Sequence, residues 1–112
     1  MRAFPNIVAY NMSKAAVDQL TRTTALEEAK NGIRVNAVNP GVIVTEIHKR
    51  GGMSDESYDA FLEHSRTTHA MGRVGDVSEV ADGIIFLASD RASFITGQTL
   101  AIDGGRSVMC PR

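Results

Sequence analysis

The sequence is short of cysteine, of aromatic residues and of any excess charge. Its 112 residues include one cysteine, Cys110, which excludes an internal disulfide and favours a reducing, cytoplasmic location. Twelve Lys and Arg stand against 13 Asp and Glu, so no charge excess marks a nucleic-acid partner. The densest apolar run, Ile84 to Ala88, is far shorter than the ~18 residues of a membrane span. We therefore expect neither a nucleic acid nor a membrane as a partner.

The remaining composition, with 43% hydrophobic and 22% charged residues, is that of one globular domain. A short extended lead-in contains Phe4-Pro5-Asn6. Small and apolar residues then recur at near-helical spacing from about Ala9 to Lys30, and Asn31-Gly32 supplies a left-handed stop. Alternating residues over 33–38 predict a strand, which should end at Asn39-Pro40-Gly41 because this turn cannot continue a ladder.

Residues 42–75 are predicted to form an irregular excursion from the sheet. Gly51-Gly52 is a flexible joint, and Ser54 is placed to cap a short helix. The apolar face of that helix consists of Tyr58, Phe61 and Leu62. Because helical spacing already explains these three side chains, we expect them to pack against the body of the protein rather than stack on a ligand.

The clearest helix begins at Asp76, where Glu79 stands three residues on and completes a reciprocal cap. Apolar residues then repeat at intervals of three and four, so one side is expected to be well buried. A short strand follows between the glycines of segment 97–105. The order helix, strand, helical excursion, helix, strand is typical of an α/β fold with a parallel sheet. Two parallel strands do not make an independent sheet, so the sheet is expected to be incomplete.

Two residues at the start of the first helix have side chains suited to proton transfer. Tyr10 and Lys14 are four residues apart, so they project from one helical face. An ammonium at that distance stabilises a phenolate, and such a tyrosine can give or take a proton near neutral pH. The alternative interpretation is a solvated tyrosine beside a surface lysine.

The context of this pair carries a family resemblance. Ser13-Lys14-Ala15-Ala16 follows Tyr10, and the predicted strand reads Arg-Val-Asn-Ala-Val-Asn-Pro-Gly over 34–41. Thr45 stands four residues after Gly41, and Asp103-Gly104-Gly105 comes late in the chain. Together these motifs resemble the short-chain dehydrogenase/reductase family, most closely its 3-oxoacyl-reductase-like branch. The resemblance extends over essentially the whole chain.

The resemblance implies an NAD(P)-dependent oxidoreductase that reduces a ketone or oxidises a secondary alcohol. It makes Tyr10 the general acid, while Lys14 assists Tyr10 and binds the nicotinamide ribose. It also implies four cofactor contacts at the end of the strand, namely Pro40, Gly41, Ile43 and Thr45. Among these, Ile43 would offer backbone groups to the carboxamide and Thr45 a hydroxyl. Ligands of open α/β sheets do lie at the carboxyl ends of strands, although a plain turn is the alternative interpretation of Pro40-Gly41.

Residues 46–71 would form the substrate lid in this family. The segment holds all three histidines, His48, His64 and His69. Their spacing suits no metal ion, and no cysteine or carboxylate cluster joins them, so we expect no metal site.

The glycine-rich dinucleotide loop of the family does not occur in these 112 residues. We therefore expect residues 1–112 to be the C-terminal half of a single Rossmann-like, doubly wound domain. The choice between NAD and NADP stays open.

The isolated chain is expected to be inactive, and the complete protein to be a homo-oligomer acting on a small carbonyl or alcohol. The alternative function is a non-catalytic, truncated family member that acts as an interaction module on full-length subunits. An upstream reading frame that continues into a strand and a glycine-rich loop would favour the enzyme.

Overall fold

The computed structural model describes residues 7–109, apart from the side chains at positions 48 and 49. The expected lead-in at Phe4-Pro5-Asn6 and the single Cys110 lie outside the described residues. The elements are α1 (Val8–Glu28), β1 (Ala37–Pro40), α2 (Ile47–Arg50), α3 (Asp55–Thr67), α4 (Val77–Ala88) and β2 (Thr99–Ile102), with 3₁₀ turns at Ala29–Asn31 and Asp90–Ala92. Between residues 7 and 109, no helix combines the length and the apolar character that a bilayer crossing demands.

Two compact units make up the described chain, one from residues up to 38 with 83–100, the other from residues 39–82 with those after 100. Strands β1 and β2 pair in a parallel two-stranded sheet, and both strands pass from one unit into the other. In the first unit the N–H of Ala37 donates to the carbonyl of Gln98 at 2.9 Å. In the second unit the N–H of Gly41 donates to the carbonyl of Ile102 at 3.0 Å. The predicted α/β class and parallel pairing are confirmed.

The first helix ends at Glu28, slightly before the predicted Lys30, and the 3₁₀ turn Ala29–Asn31 leads to the predicted stop at Gly32. Gly32 adopts a left-handed conformation with φ of 73°, and its N–H donates to the carbonyl of Ala29. A residue with a Cβ is strained at this φ, which is why glycine stops the helix here. The buried side of α1 carries Thr21 and Ala25. Gly97 passes close to that side, since a Cβ on Gly97 would lie 3.5 Å from the Cβ of Ala25.

The predicted strand at residues 33–38 was wrong in its boundaries, because β1 begins at Ala37 and includes Pro40. Before Ala37, side chains replace part of the ladder. The N–H of Val35 donates to Thr96 Oγ1 at 3.0 Å. The amide of Asn36 donates to the carbonyl of Ile95 at 2.8 Å and accepts from the N–H of Gln98 at 3.0 Å. Ala37 and Gly41 donate to the β2 side, so the nitrogen of Pro40 faces the opposite edge and its lack of an N–H costs no bond to β2.

Arg34 holds the end of α4 within the first unit. Its guanidinium donates to the carbonyls of Leu87 at 2.7 Å, Ser89 at 3.2 Å and Ile95 at 3.3 Å. Leu87 and Ser89 lie at the C-terminus of α4, where helical carbonyls lack intrahelical partners. The planar guanidinium can serve several of these acceptors at once.

In the second unit, helix α3 is capped and packed as predicted. The N–H of Ser57 donates to Ser54 Oγ at 3.2 Å. Tyr58 is buried, and its hydroxyl donates to the carbonyl of Thr45 at 3.0 Å. Phe61 and Leu62 are half-buried. The apolar face of α3 therefore lies against its own unit, which agrees with a packing role for Tyr58.

The predicted cap of α4 is also present. The N–H of Ser78 donates to Asp76 Oδ1 at 2.9 Å, and the N–H of Asp76 donates to Glu79 Oε2 at 2.8 Å. Arg73 adds a two-point contact with Glu79 at 2.6 and 2.8 Å. The hydrogen bond from Arg73, followed by that from the Asp76 N–H, lowers the pKa of Glu79 from 4.5 to about 2. The hydrogen bonds from Ser78 hold the pKa of Asp76 below its ordinary value.

The expectation that α4 is well buried on one side was wrong. None of its residues is buried, and Val77, Ile84 and Ile85 are 55%, 50% and 64% exposed. The apolar period of the helix is present, but a two-stranded sheet offers too little apolar surface to cover it.

We expect Arg34→Lys to lower the free energy of unfolding by about 1–3 kcal/mol, because a lysine ammonium cannot reproduce the fork that serves three carbonyls. Urea unfolding of the 112-residue chain measures the effect. Arg22→Lys, on the exposed side of α1, is the matched control and should change stability by less than about 0.5 kcal/mol. Equal losses from both substitutions would contradict the role of Arg34.

The ion pair between Arg73 and Glu79 should make stability depend on pH. Because the folded carboxyl binds its proton less readily than an unfolded one, the pair stabilises the fold fully above about pH 4.5, and this gain is lost as the pH falls towards about 2. Glu79→Gln keeps an oxygen to cap Asp76 but removes the charge. The variant should therefore be less stable than the parent chain at pH 4.5, and this difference should shrink as the pH is lowered towards about 2. A deficit that stays constant over this range would show that the ion pair does not contribute.

Candidate catalytic and cofactor site

Tyr10 and Lys14 lie together near the start of α1, as their spacing predicts. The Lys14 Nζ is 5.3 Å from the centroid of the Tyr10 ring, which is a cation–π distance. Tyr10 is 57% exposed, and Lys14 is exposed as well. The hydroxyl of Ser13 donates to the Tyr10 carbonyl at 2.8 Å, one turn along the helix. An exposed phenol beside an ammonium is able to exchange a proton with a bound molecule.

The other predicted site residues, Pro40, Gly41, Ile43 and Thr45, all belong to the second unit. Pro40 is exposed at the end of β1, Gly41 continues the pairing with β2, and Ile43 forms an isolated parallel bridge with Gly75. Tyr10 and Lys14 belong to the first unit. The predicted catalytic pair therefore lies within one unit, and the four predicted cofactor contacts lie within the other.

Gly41 has a structural reason to be glycine that the sequence did not reveal. A Cβ at this position would lie 2.7 Å from His69 Nε2 and 2.9 Å from the Cα of Asp103. Contacts this close are not found for real Cβ atoms. The resemblance attributed this glycine to the approach of a flat ring, whereas crowding within the unit already requires it.

The N–H and the carbonyl of Ile43 face away from Gly75, which binds the residues on either side of Ile43. The N–H of Gly75 donates to the Val42 carbonyl at 2.8 Å, and the N–H of Val44 donates to the Gly75 carbonyl at 3.1 Å. In a parallel bridge the N–H and C=O of the central residue face the opposite edge. Neither group of Ile43 has a hydrogen-bond partner anywhere from residue 7 to residue 109. One donor and one acceptor side by side match a primary carboxamide, so Ile43 fits the nicotinamide end of a dinucleotide.

Thr45 is fixed through its backbone. Its N–H donates to the Tyr58 hydroxyl at 3.3 Å, and its carbonyl accepts from the same hydroxyl at 3.0 Å. The Thr45 hydroxyl receives only a long contact from the N–H of Ile47, at 3.5 Å. It therefore keeps the capacity to donate to a ligand. The sequence predicted that Tyr58 packs inward, but no local pattern indicated that it would hold Thr45.

His69 is a site residue that sequence reasoning missed. It is only 3% exposed, and its two ring nitrogens contact the N–H of Val42 at 3.1 Å and the carbonyl of Ser65 at 2.6 Å. The sequence analysis weighed His69 only as a metal ligand, together with the other two histidines, and expected no metal site. In the part of the chain that the structure describes, no three His, Cys, Asp or Glu side chains are grouped to hold a metal ion.

Asp103 closes the turn after β2. Its carboxylate accepts from the N–H groups of Gly105 at 3.0 Å and Ser107 at 2.8 Å. Burial disfavours the charged form, but hydrogen bonds from Ser107 and Gly105 outweigh it and hold the pKa of Asp103 below its ordinary value. The Asp-Gly-Gly motif forms a turn with φ of 56° at Gly104 and 81° at Gly105, and the Gly104 carbonyl accepts from the N–H of Met71 at 3.0 Å.

A cavity of about 270 Å³ lies within the second unit. Its walls include Gly41, Ile43, His69, Met71, Arg73 and Asp103. The two carboxylates that line it, Asp103 and Glu79, are both committed to the hydrogen bonds described above. The cavity wall therefore supplies shape and backbone groups rather than a free acid or base.

The chain is similar to known proteins over most of its length. A family model described as enoyl-(acyl carrier protein) reductase matches residues 1–107. The chain is 48% identical over 101 residues to a glucose 1-dehydrogenase of Gluconobacter oxydans, covering 90% of this chain and 36% of the relative. It is 44% identical over 100 residues to a galactitol 2-dehydrogenase (L-tagatose-forming) of Cereibacter sphaeroides, covering 89% and 38%. The chain thus spans little more than a third of the curated relatives it matches.

Solved structures give the same answer. A short-chain dehydrogenase/reductase from Caenorhabditis elegans, of unknown function and with cofactor, superposes with a TM-score of 0.90 at 38% identity, covering 97% of this chain and 42% of that one. The aldohexose dehydrogenase of Thermoplasma acidophilum, in ligand-free form, superposes with a TM-score of 0.89 at 37% identity, covering 98% and 45%. The chain belongs to the short-chain dehydrogenase/reductase family, whose members are NAD(P)-dependent oxidoreductases with a Rossmann-like fold.

Proposed function

We propose that this chain forms the proton-transfer and nicotinamide-binding part of an oxidoreductase that interconverts a ketone and a secondary alcohol. The observation that carries the proposal is the exposed Tyr10–Lys14 pair on one face of α1, with Nζ 5.3 Å from the ring centroid. Family membership supports the reaction class, and the free peptide groups of Ile43 support the cofactor class.

In the proposed reaction Tyr10 is the general acid. Its hydroxyl gives a proton to the carbonyl oxygen as that oxygen gains charge, and takes the proton back when an alcohol is oxidised. Lys14 stabilises the phenolate that remains on Tyr10 and donates hydrogen bonds to the ribose hydroxyls of the cofactor. The bound nicotinamide supplies or accepts the hydride.

The cofactor is NAD or NADP, and in our proposal its carboxamide binds at Ile43. The Ile43 N–H donates to the carboxamide oxygen, and the Ile43 carbonyl accepts from the carboxamide nitrogen. Thr45 would add its hydroxyl, and Pro40 and Gly41 would contact the nicotinamide ring.

Residues 46–71 are proposed as the substrate lid of a single domain. The hydroxyl of Tyr58, in α3, bonds to the backbone of Thr45 and so links this segment to the turn that carries the proposed cofactor contacts. The substrate is a small carbonyl compound or alcohol. A cytoplasmic location and a homo-oligomer in the complete protein stay predictions of the sequence.

A second candidate function is an interaction module that binds full-length subunits without catalysis. The exposed apolar side chains of α4, Val77, Ile84 and Ile85, favour it, because they leave a contact surface uncovered. In that case the isolated chain would bind a full-length relative but no dinucleotide.

The role of Tyr10 can be tested in a chimera that carries this chain in place of the matching residues of the Gluconobacter relative. We expect Tyr10→Phe to reduce turnover by ~10²- to 10⁴-fold while leaving cofactor affinity nearly unchanged, because only the transferable proton is lost. Lys14→Ala should impair both. Steady-state kinetics over a panel of ketones and sugars, with a fluorescence titration of NADH, measures the two effects. Near-normal turnover in the Tyr10→Phe chimera would reject Tyr10 as the acid.

The 112 residues alone are expected to be inert and to bind NADH or NADPH no more tightly than ~1 mM, since the sequence has no glycine-rich loop to hold the phosphates. Calorimetric titration of the purified chain tests this, with the chimera as the positive control. Micromolar affinity together with carbonyl reduction by the purified chain would overturn the expectation.

A further inference from the structure

A buried histidine connects the end of the proposed lid to the turn that follows β1. His69 lies two residues beyond α3, and the bond from the Val42 N–H spans 27 positions of the chain. Its other ring nitrogen contacts the carbonyl of Ser65, in the last turn of α3. One imidazole therefore joins α3 to the backbone of the turn.

The partners of the ring fix the role of each nitrogen. A backbone N–H can only donate, so Nε2 accepts from Val42. A carbonyl can only accept, so Nδ1 carries the hydrogen and donates to Ser65 at 2.6 Å. The Thr68 hydroxyl lies 3.3 Å from Nδ1, but it has its own acceptor in the Ser65 carbonyl at 3.0 Å. The ring is a neutral tautomer with both nitrogens committed.

His69 also determines which edge of the turn is left free. The N–H and the carbonyl of Val42 face one edge, where His69 and Gly75 bind them. The peptide groups of Ile43 consequently face the other edge. In addition, His69 packs closely against Gly41, since a Cβ on Gly41 would lie only 2.7 Å from His69 Nε2. The peptide between Gly41 and Val42 is thus held by a bond and by contact.

We propose that His69 is a positioning residue for the nicotinamide end of the cofactor. By holding the Gly41–Val42 peptide, it keeps the N–H and the carbonyl of Ile43 aimed as a matched pair for a carboxamide. This inference rests on the proposed function of Ile43 and adds a residue from the lid segment to the cofactor site. In this role His69 acts through the Gly41–Val42 peptide and not by contact with the reacting atoms.

Two amide substitutions separate the two bonds of the ring. The carbonyl oxygen of a glutamine is as many bonds from Cα as Nε2, so His69→Gln can still accept from Val42. The amide nitrogen of an asparagine is as many bonds from Cα as Nδ1, so His69→Asn can still donate to Ser65 but cannot reach Val42. Both variants leave a polar group of similar size in the same place, which makes them matched controls for stability.

The experiment measures two quantities in the parent and in both variants. In the 112-residue chain, hydrogen exchange followed by NMR reports the protection of the Val42 N–H. In the chimera, fluorescence and calorimetric titrations give the dissociation constants of NADH and of ADP-ribose, which lacks the nicotinamide ring. The ratio of the two constants isolates the nicotinamide end from the phosphate-binding part.

We expect His69→Asn to lose the protection of Val42 and to weaken NADH binding about 5- to 10-fold with ADP-ribose binding unchanged. His69→Gln should stay within about 2-fold of the parent for both ligands. Equal weakening of both ligands, or an unchanged ratio in His69→Asn, would overturn the positioning role alone. A chimera with His69 intact that binds ADP-ribose but gains nothing from the nicotinamide would instead refute the proposed function of Ile43, and this inference with it.

Discussion

Successive residues of an extended backbone present their N–H and C=O groups to opposite edges, and this alternation decides what the segment after β1 can do. Once Val42 and Val44 are bonded on one edge, Ile43 must face the other. The backbone of Gly75 supplies two of these bonds, and the His69 side chain supplies the third. The Gly75 bridge and the His69 ring maintain that one-sided pairing.

The supports of this segment come from positions far along the chain. Gly75 precedes α4, whose first turn is closed by Asp76, Glu79 and Arg73. His69 follows α3, which is started by the Ser54 cap. The Asp76 cap fixes where the loop that carries Gly75 meets α4, and the bond from the Thr68 N–H to the Ser65 carbonyl closes α3 just before His69. Local bonds at these two helix ends therefore bear directly on the geometry of the candidate site.

Features that depend on neighbours in sequence were predictable. The Gly32 stop, the Ser54 cap, the reciprocal cap of Asp76 and Glu79, and the spacing of Tyr10 and Lys14 each involve residues within four positions of one another. Features that depend on distant partners were not. The start of β1 was misjudged because Asn36 bonds to Ile95 and Gln98, some sixty residues away. His69 escaped because both its partners are main-chain groups, which leave no signature in residue types. The burial of α4 was misjudged because a period identifies an apolar face but not its cover.

The two anchors of the turn, Tyr58 and His69, both lie within residues 46–71. If this segment is the part that adapts to new substrates, it is not a module that can be exchanged freely between relatives. A transplanted segment either brings its own side chains that bond to the backbone at residues 42 and 45, or leaves these bonds unmade. Substrate range and the seating of the redox cofactor would then be inherited together. Protein engineers who graft a foreign segment should therefore keep a tyrosine and a histidine at the two sites.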